Sequence, residues 1–380
     1  MLAGTGLLPG FSLEQIEEES SVHRPTIGML AVLVATLGLG SCGQSGSTRQ
    51  TEQSRQDKLS IRAGYLAPWD ARWIATIDQG KADNGALTEL SPVFYQPDET
   101  GQVTFASAEA QSAASEIEQR ASSHGFALMP SISNFRNGRW DSKLIHTLLT
   151  DSVARAAHIA AISTLAQSHP WAGVDLDYES LRSADRSAYS AFIRDLGGAL
   201  HQAHKRLSVT VHAKTSEPGD WSGARAEDWR ALGASADEIR VMAYDHATEQ
   251  TAPGPVAPLP WVEGVLRFAA SEIPHEKILL GVGAYGYDWT NDHNGVSLQW
   301  ADAERIAQQR STVIMWDASS SSPWFMYTDS HSGRHSVWYE NARSLEAKLD
   351  LARQYGVAGV FVWRLGGEDP AVWDALRQAG

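Results

Sequence analysis

Eight short apolar runs, rich in β-branched and aromatic residues, recur along the chain between stretches of helical periodicity. "SIRAGYL" starts at Ser60, "LSPVFY" at Leu90, "FALMPSI" at Phe126 and "GVDLDY" at Gly173. "RLSVTVH" follows at Arg206, "EIRVMAY" at Glu238, "KILLGVGAY" at Lys277 and "GVFVW" at Gly359. Helical patterns separate most of them, including Asp185 to His204 and Ser344 to Tyr355; Gly356 follows the second as a C′ residue. Eight strands alternating with helices over about 320 residues predict an α/β fold, a (β/α)8 TIM barrel. A doubly wound open sheet is the other architecture such alternation allows, but no Gly-rich phosphate loop follows the first strand.

One connection breaks the rhythm. Between the seventh and eighth strands, roughly residues 288–337 lack a simple helix pattern. They hold the strand-like pieces "STVIMWD" and "SPWFMYTD" and a helical stretch near Ala301 to Arg310. A small α+β insertion between strand 7 and helix 7, on the C-terminal face of the barrel, is expected; insertions there are often functional. Ahead of the barrel, residues 43–58, "GQSGSTRQTEQSRQDK", read as a flexible polar tether. The predicted organisation is a signal region at 1–42, the tether, and a catalytic barrel at 59–380.

The signal region rests on Ile27 to Leu39, an apolar run that follows His23 and Arg24. It is shorter than the ~20 residues of a spanning helix and fits a signal-peptide core. Leu39-Gly40-Ser41-Cys42 resembles a bacterial lipobox, whose cysteine is diacylated and becomes the mature N-terminus. The alternative is a small-residue cleavage site followed by an ordinary cysteine. The acidic "EQIEEESS" that comes first suits a positive n-region poorly. A start at Val22, which keeps Arg24, or at Met29 is therefore expected, with Val22 the better fit. Such a protein is exported to the bacterial cell envelope and held at a membrane by its lipid. Cys42 is the one cysteine of the chain, so no intramolecular disulfide forms.

Charge and composition narrow the function. Lys and Arg number 31 against 45 Asp and Glu, a net charge of −14, which argues against a nucleic-acid partner. The 43% hydrophobic content suits a sizeable core. Fourteen Trp supply aromatic faces on which sugar rings stack, beside their ordinary use as core residues. Thirteen His show no metal-ligand spacing, so neither metal nor cofactor is expected, and the chain reads as a monomer.

Candidate chemistry concentrates in "WAGVDLDYESL", Trp171 to Leu181. Alternate side chains of a strand share a face, which stacks Asp175, Asp177 and Glu179 on one side of the fourth strand. In a barrel that side faces inward, with Glu179 at the active-site rim. Like charges at this range force at least one carboxyl to hold its proton near neutral pH. A solvated strand face would need an edge strand. A divalent-metal site would call for a Gly-turned loop or paired His, which the flanks lack. A glycosidase acid system makes use of the repulsion.

These residues resemble glycoside hydrolase family 18, the chitinases and related N-acetylglucosaminidases. "GVDLDYE" is similar to the family's DGxDxDxE signature, and "VMAYDHA", with Tyr244 and Asp245, to its sixth-strand M-x-Y-D. Trp363, at the end of "GVFVW", stands where the family carries the Trp under the bound sugar. "VHAKTS", "GPVAPLPWVEGVLRFA", "VGAYGYDW" and "SVWYENARSLEAKLDLARQYGVAGVFVWRLGGEDP" resemble the branch of spore-cortex and peptidoglycan N-acetylglucosaminidases. The family's leading Asp is Ala172 here, a departure outside the acidic triplet that implies altered packing rather than lost activity.

The resemblance implies cleavage of β-1,4 bonds after N-acetylglucosamine, in peptidoglycan or a chitin-like polymer, by a retaining, substrate-assisted mechanism. Glu179 would be the acid and base, Asp177 would orient the acetamido group, and Asp175 would share its proton. Tyr244 would donate to the same group and Asp245 would contact the sugar; as a bland alternative Tyr244 is a polar-tipped core aromatic and Trp363 barrel filler. Tyr65, Trp69, Tyr95, Tyr285 and Trp289, near strand ends, are candidates for further subsites, and Lys214 for a substrate contact. The rival class is a catalytically inactive, chitinase-like sugar-binding lipoprotein. Such relatives usually lack the acid that Glu179 supplies here.

Overall fold

The computed structural model describes residues 58–81, 85–291 and 293–380; the signal region, Cys42 and almost all of the tether lie outside the described residues. Eight parallel strands form the centre: β1 (Ile61–Leu66), β2 (Glu89–Pro97), β3 (Ser131–Ser133), β4 (Gly173–Asp177), β5 (Arg206–His212), β6 (Glu238–Met242), β7 (Ile278–Gly283) and, after the insertion, β13 (Gly359–Trp363). Each pairs with the next, β7 pairs with β13, and β1 pairs with both β13 and β2. The ring therefore closes without an edge, which rules out the doubly wound sheet. All eight strands coincide with the apolar runs, β2 and β3 extending past theirs by one or two residues. One run is split: "FALMPSI" forms Ala127–Leu128 and then β3, on either side of Pro130, which has no N–H to give a ladder.

Helices cover the outside. Arg186–Gln202 lies in the stretch expected from Asp185 to His204, entered through a 3-10 turn at Ser183–Asp185. Ala342–Gln354 starts on a reciprocal cap between Asn341 and Ser344, and Gly356 follows it at φ 61, a conformation glycine adopts without a Cβ penalty. On β4 the two alternating faces separate cleanly. Val174 and Leu176 are fully buried in the main hydrophobic cluster, while Asp175 and Asp177 meet polar groups from other barrel strands.

The insertion occupies Tyr285–Tyr339 and starts earlier than expected, because "KILLGVGAY" is two strands. β7 ends at Gly283, and β8 (Tyr285–Thr290) turns away into a second sheet. With β9 (His293–Gln299), β10 (Met315–Asp317), β11 (Ser322–Thr328) and β12 (Arg334–Tyr339) it forms an antiparallel sheet in the order β9-β8-β12-β11-β10. Period-two alternation gives that sheet two apolar faces. Leu298, Phe325, Val337 and Tyr339 make a small core with Ala303 and Ala307 of the helix Trp300–Arg310. Tyr285, Tyr287 and Trp289 belong instead to the main cluster, so β8 presents its aromatics to the barrel.

Candidate active site

A cleft of about 580 Å³ opens at the C-terminal ends of the strands. Asp177, Glu179, Tyr244, Asp245, Tyr285 and Trp363 all line it. The strand proper stops at Asp177, and Glu179 is held one step beyond by Asn134, just after β3. The Asn134 amide donates to the carbonyl of Glu179 (2.9 Å) and accepts the Glu179 N–H (2.8 Å). This clamp fixes the backbone from which the rim carboxylate projects.

Below it, Asp175 is fully buried yet well partnered. The Tyr65 hydroxyl donates to its Oδ2 at 2.7 Å, Thr210 Oγ1 lies 3.2 Å from its Oδ1, and Arg240 Nε is 3.8 Å away. The three acids are thus not three unpaired charges, as alternation alone suggested; Arg240, from β6, compensates the lowest. Asp177 carries the strain. Burial, reinforced by Glu179 and Asp175, holds its carboxyl well above the usual range, and its Oδ1 has no hydrogen-bond partner. The middle acid is therefore the one whose surroundings most favour its protonated form.

His212, the last residue of β5, completes the arrangement. Its Nε2 is 3.2 Å from Glu179 Oε2, and its Nδ1 is 2.6 Å from Glu227 Oε1. The backbone N–H of His212 also donates to Glu227, 3.0 Å to Oε2. Burial opposes the imidazolium, but the Glu227 and Glu179 carboxylates outweigh it and push His212 up to about 10. The spacing of His residues gave no hint of this role. The usable signal was period two: Ser208, Thr210 and His212 share the face that meets Asp175 and Glu179.

The remaining expected residues fall into two groups. Tyr244 lies edge-on to Tyr285 and Phe361, and Trp363 edge-on to Tyr65, at 5.4 Å between centroids. Asp245 opens onto the cleft with a left-handed φ of 59, and accepts from Tyr285 (2.5 Å) and Tyr287 (2.8 Å). Its depth among protein atoms, against those two hydrogen bonds, leaves its carboxyl raised to about 6. Tyr287 was missed, although "YGYDW" places it two residues from Tyr285 and so on the same face. Trp140, Trp221 and Trp261, also cleft-lining, come from a two-residue hairpin strand, the residue before a short helix and the start of a helix, whose approach no local pattern encodes.

Five other expected residues, Lys214, Trp69, Tyr95, Trp289 and Tyr65, have side chains engaged within the protein. Lys214 borders the cleft, but its ammonium points into the protein, donating to Glu217 (2.7 Å) and the Glu227 carbonyl (2.6 Å) above the Trp229 ring. Trp69 packs against the main core and is absent from the cleft lining; Tyr95 stacks on Phe105, and Trp289 is fully buried with its indole N–H on the Thr248 carbonyl. Tyr65 reaches the cleft floor, with its hydroxyl committed to Asp175 and Thr210. Among the described residues no cluster of His, Cys, Asp and Glu has the arrangement of a metal site, and no helix is long and apolar enough to cross a membrane.

A closed barrel whose strand ends gather a column of carboxylates under an aromatic cleft is the build of a glycoside hydrolase. The chain belongs to glycosyl hydrolases family 18, whose model matches residues 61–368. The cortical fragment-lytic enzyme of Bacillus subtilis is 32% identical over 258 residues, 66% of this chain and 59% of that protein. The chain thus spans less than two thirds of that relative's length. Among solved structures, a chitinase from Chromobacterium violaceum superposes with a TM-score of 0.79 at 31% identity, over 84% of this chain and 98% of that one. The Bacillus cereus spore cortex-lytic enzyme SleL gives 0.76 at 26% identity, over 84% and 74%.

Proposed function

We propose that the chain cleaves β-1,4 bonds after N-acetylglucosamine in peptidoglycan or a chitin-like polymer, with retention and with the substrate's acetamido group as nucleophile. The observation that carries this reading is the buried Asp177, its protonated form favoured, between a compensated Asp175 and a rim Glu179, at the floor of an aromatic cleft. Glu179 gives its proton to the glycosidic oxygen as the bond to the anomeric carbon breaks. The carbonyl oxygen of the 2-acetamido group closes on that carbon from the other face, forming an oxazolinium ion. Asp177 hydrogen-bonds the acetamido nitrogen and carries the balancing charge, its proton passing toward Asp175. Tyr244 donates to the acetamido oxygen, Asp245 holds the same sugar, and Trp363 forms the platform beneath it. Glu179, now a carboxylate, takes a proton from water; the hydroxide equivalent opens the oxazolinium and restores the β configuration. A protein nucleophile is not needed, an exception to the two-carboxylate scheme.

The bond cut is the test. The sugar contributing the anomeric carbon must carry an intact N-acetyl group, and the lactyl ether of muramic acid crowds a pocket bounded by Trp363 and Tyr244. Borohydride reduction of a peptidoglycan digest is expected to convert glucosamine, and not muramic acid, to its alditol. Muramicitol as the main product sinks the reading. Anchoring belongs to the same proposal: acylated Cys42 would keep the enzyme at the envelope, since two chains suffice for stable attachment. Cys42→Ala should then appear as unprocessed precursor or leave the membrane fraction, and unchanged fractionation rejects the lipobox.

A further inference from the structure

The pair formed by His212 and Glu227 lies outside the acidic triplet and has no part in the steps above. Glu227 is 1% exposed and sits between two short helices, Ser222–Ala226 and Trp229–Ser235. Its position is set by several contacts. Arg186 donates to its carbonyl at 2.9 Å, Lys214 donates to the same carbonyl, and its carboxylate receives both the backbone N–H and the ring Nδ1 of His212. The ring is held from a second side by the indole of Trp221, edge-on at 4.5 Å. An imidazole oriented this firmly has one free direction for Nε2, and that direction ends on Glu179 Oε2.

Resting on the hydrolase reading above, we propose that His212, set by Glu227, is the positioning residue of the acid. It pins Oε2 of Glu179 so that Oε1 is the oxygen that carries the proton to the leaving group. It also meets the charge that proton transfer leaves behind. Before transfer Glu179 is neutral and gains little from a cation; afterwards it is a carboxylate with an imidazolium at hydrogen-bond distance. The interaction is therefore stronger once the bond has broken than before, the condition for lowering a barrier. The same carboxylate must then act as base, and a fixed Oε2 keeps Oε1 facing the incoming water.

The groups around the imidazole allow this role. Glu179 and Asp177 face it from β4 and its end, and Glu227 and Trp221 from the segment after β5. Lys214 and Tyr189 lie near enough to bear on the charge of Glu227, and Asp220 borders the cleft beside Trp221. The Glu227 carboxylate on Nδ1 favours the doubly protonated ring despite burial, and Glu179 joins it once it has given up its proton.

The test uses the full-length protein and reads pH profiles. His212→Gln keeps a donor near Glu179 without the charge, and Glu227→Gln removes the anchor of the ring. Loss of the cation lets the acid hold its proton to higher pH, so the alkaline limb of kcat/KM is expected to rise by about one unit in His212→Gln. Glu227→Gln should move it the same way by a smaller step. In both, kcat is expected to fall about ten- to a hundred-fold, the scale of a hydrogen bond to a charged group. A fall in kcat with an unmoved limb in both variants overturns the proposal, because a purely structural role changes amplitude alone. Should the variants not fold, 15N spectra of histidine in the wild type decide. One imidazole should remain doubly protonated at pH 8.5 and shift on Glu179→Gln; every imidazole neutral at that pH overturns the proposal. Failure of the hydrolase reading is separate, and shows as a wild type that cuts no N-acetylglucosaminide at any pH.

Discussion

At the N-terminal end of the barrel interior, Glu89 and Glu238 meet two guanidinium groups, those of Arg206 and Arg240. At the C-terminal end, Glu179 and Glu227 meet a single imidazole, His212, with Asp177 near enough to feel its charge, while Asp175 reaches down to Arg240. Both ends bury charge, but they neutralise it differently. Arginine stays protonated at any working pH, so the lower network is fixed and holds strands β2, β5 and β6 in register. The upper network is short of cations and makes up the difference with protons. Charge compensated by a guanidinium is scaffold; charge compensated by a proton can be handed to a substrate. One barrel thus carries structure at one end and chemistry at the other, with Arg240 as the boundary.

Removing the acid itself is expected to have the largest effect. Glu179→Gln preserves shape and the Asn134 clamp, which uses only backbone atoms of residue 179. Turnover of a chromogenic N-acetylglucosaminide oligomer should fall ~10²–10⁴-fold. Folding should be little changed, since the amide keeps an oxygen to accept from His212 Nε2. Activity within a few-fold of wild type refutes the assignment.

At the scaffold end the loss should appear as stability. Arg240→Met leaves Asp175 without its cation and Glu89 and Glu238 with Arg206 alone in a dry interior, at a cost of about 3–5 kcal/mol in urea unfolding. Glu89 adds a pH signature. Burial and Glu238 outweigh Arg240 and Arg206 and raise it to about 7 from 4.5. A folded state that binds its proton more tightly is favoured most below pH 4.5, and that share of stability is lost as pH rises to about 7. The loss should be steeper in Arg240→Met, where a counter-charge is missing. A variant as stable as wild type at pH 8 would erase the distinction between the two ends.

How much of this the sequence disclosed follows the same division. Strand positions, the closed barrel and the inward column Asp175-Asp177-Glu179 were legible because a period of two is local. The partners of that column were not, because closure of the barrel brings them together. Arg240 is 65 residues from Asp175, and Tyr65 is 110 residues away. Lys214 shows the same limit: a lysine just past a strand end reads as cleft-facing, and it borders the cleft, but its ammonium partners Glu217 and the Glu227 carbonyl come from the chain beyond the strand. Tyr285 was found, but on a strand of the insertion, since nothing in "VGAYGY" marks where β7 gives way to β8.

Asp177→Asn is expected to separate stability from activity. The amide keeps the size of a protonated carboxyl and removes an ionisable group that burial, Glu179 and Asp175 all press toward neutrality. The folded state should be as stable as wild type or more so above pH 7, where the native carboxyl is most penalised. On the proposed mechanism turnover should still fall about ten- to a hundred-fold, because an amide cannot take up the charge that would balance an oxazolinium. A variant both less stable and less active would place Asp177 with the scaffold.

The smallest effect is expected at Lys214, which lies beside the cleft but on the structural side of the comparison. Its side chain is 1% exposed, stretched over Trp229, with its ammonium on Glu217 and on the carbonyl that positions Glu227. Lys214→Met keeps the apolar stem against the indole and deletes only the ammonium. Three hydrogen bonds are lost, a long one to the Ala224 carbonyl and one to the partly exposed Glu217 among them, so unfolding should ease by about 1 kcal/mol. KM for an N-acetylglucosamine oligomer should be unchanged, because no atom removed by the substitution faces the sugar. A tenfold rise in KM without loss of stability would show that the ammonium swings into the cleft when substrate binds. Lys214 would then join the chemical end of the barrel, and the boundary drawn at Arg240 would need to be redrawn to include the loop after β5.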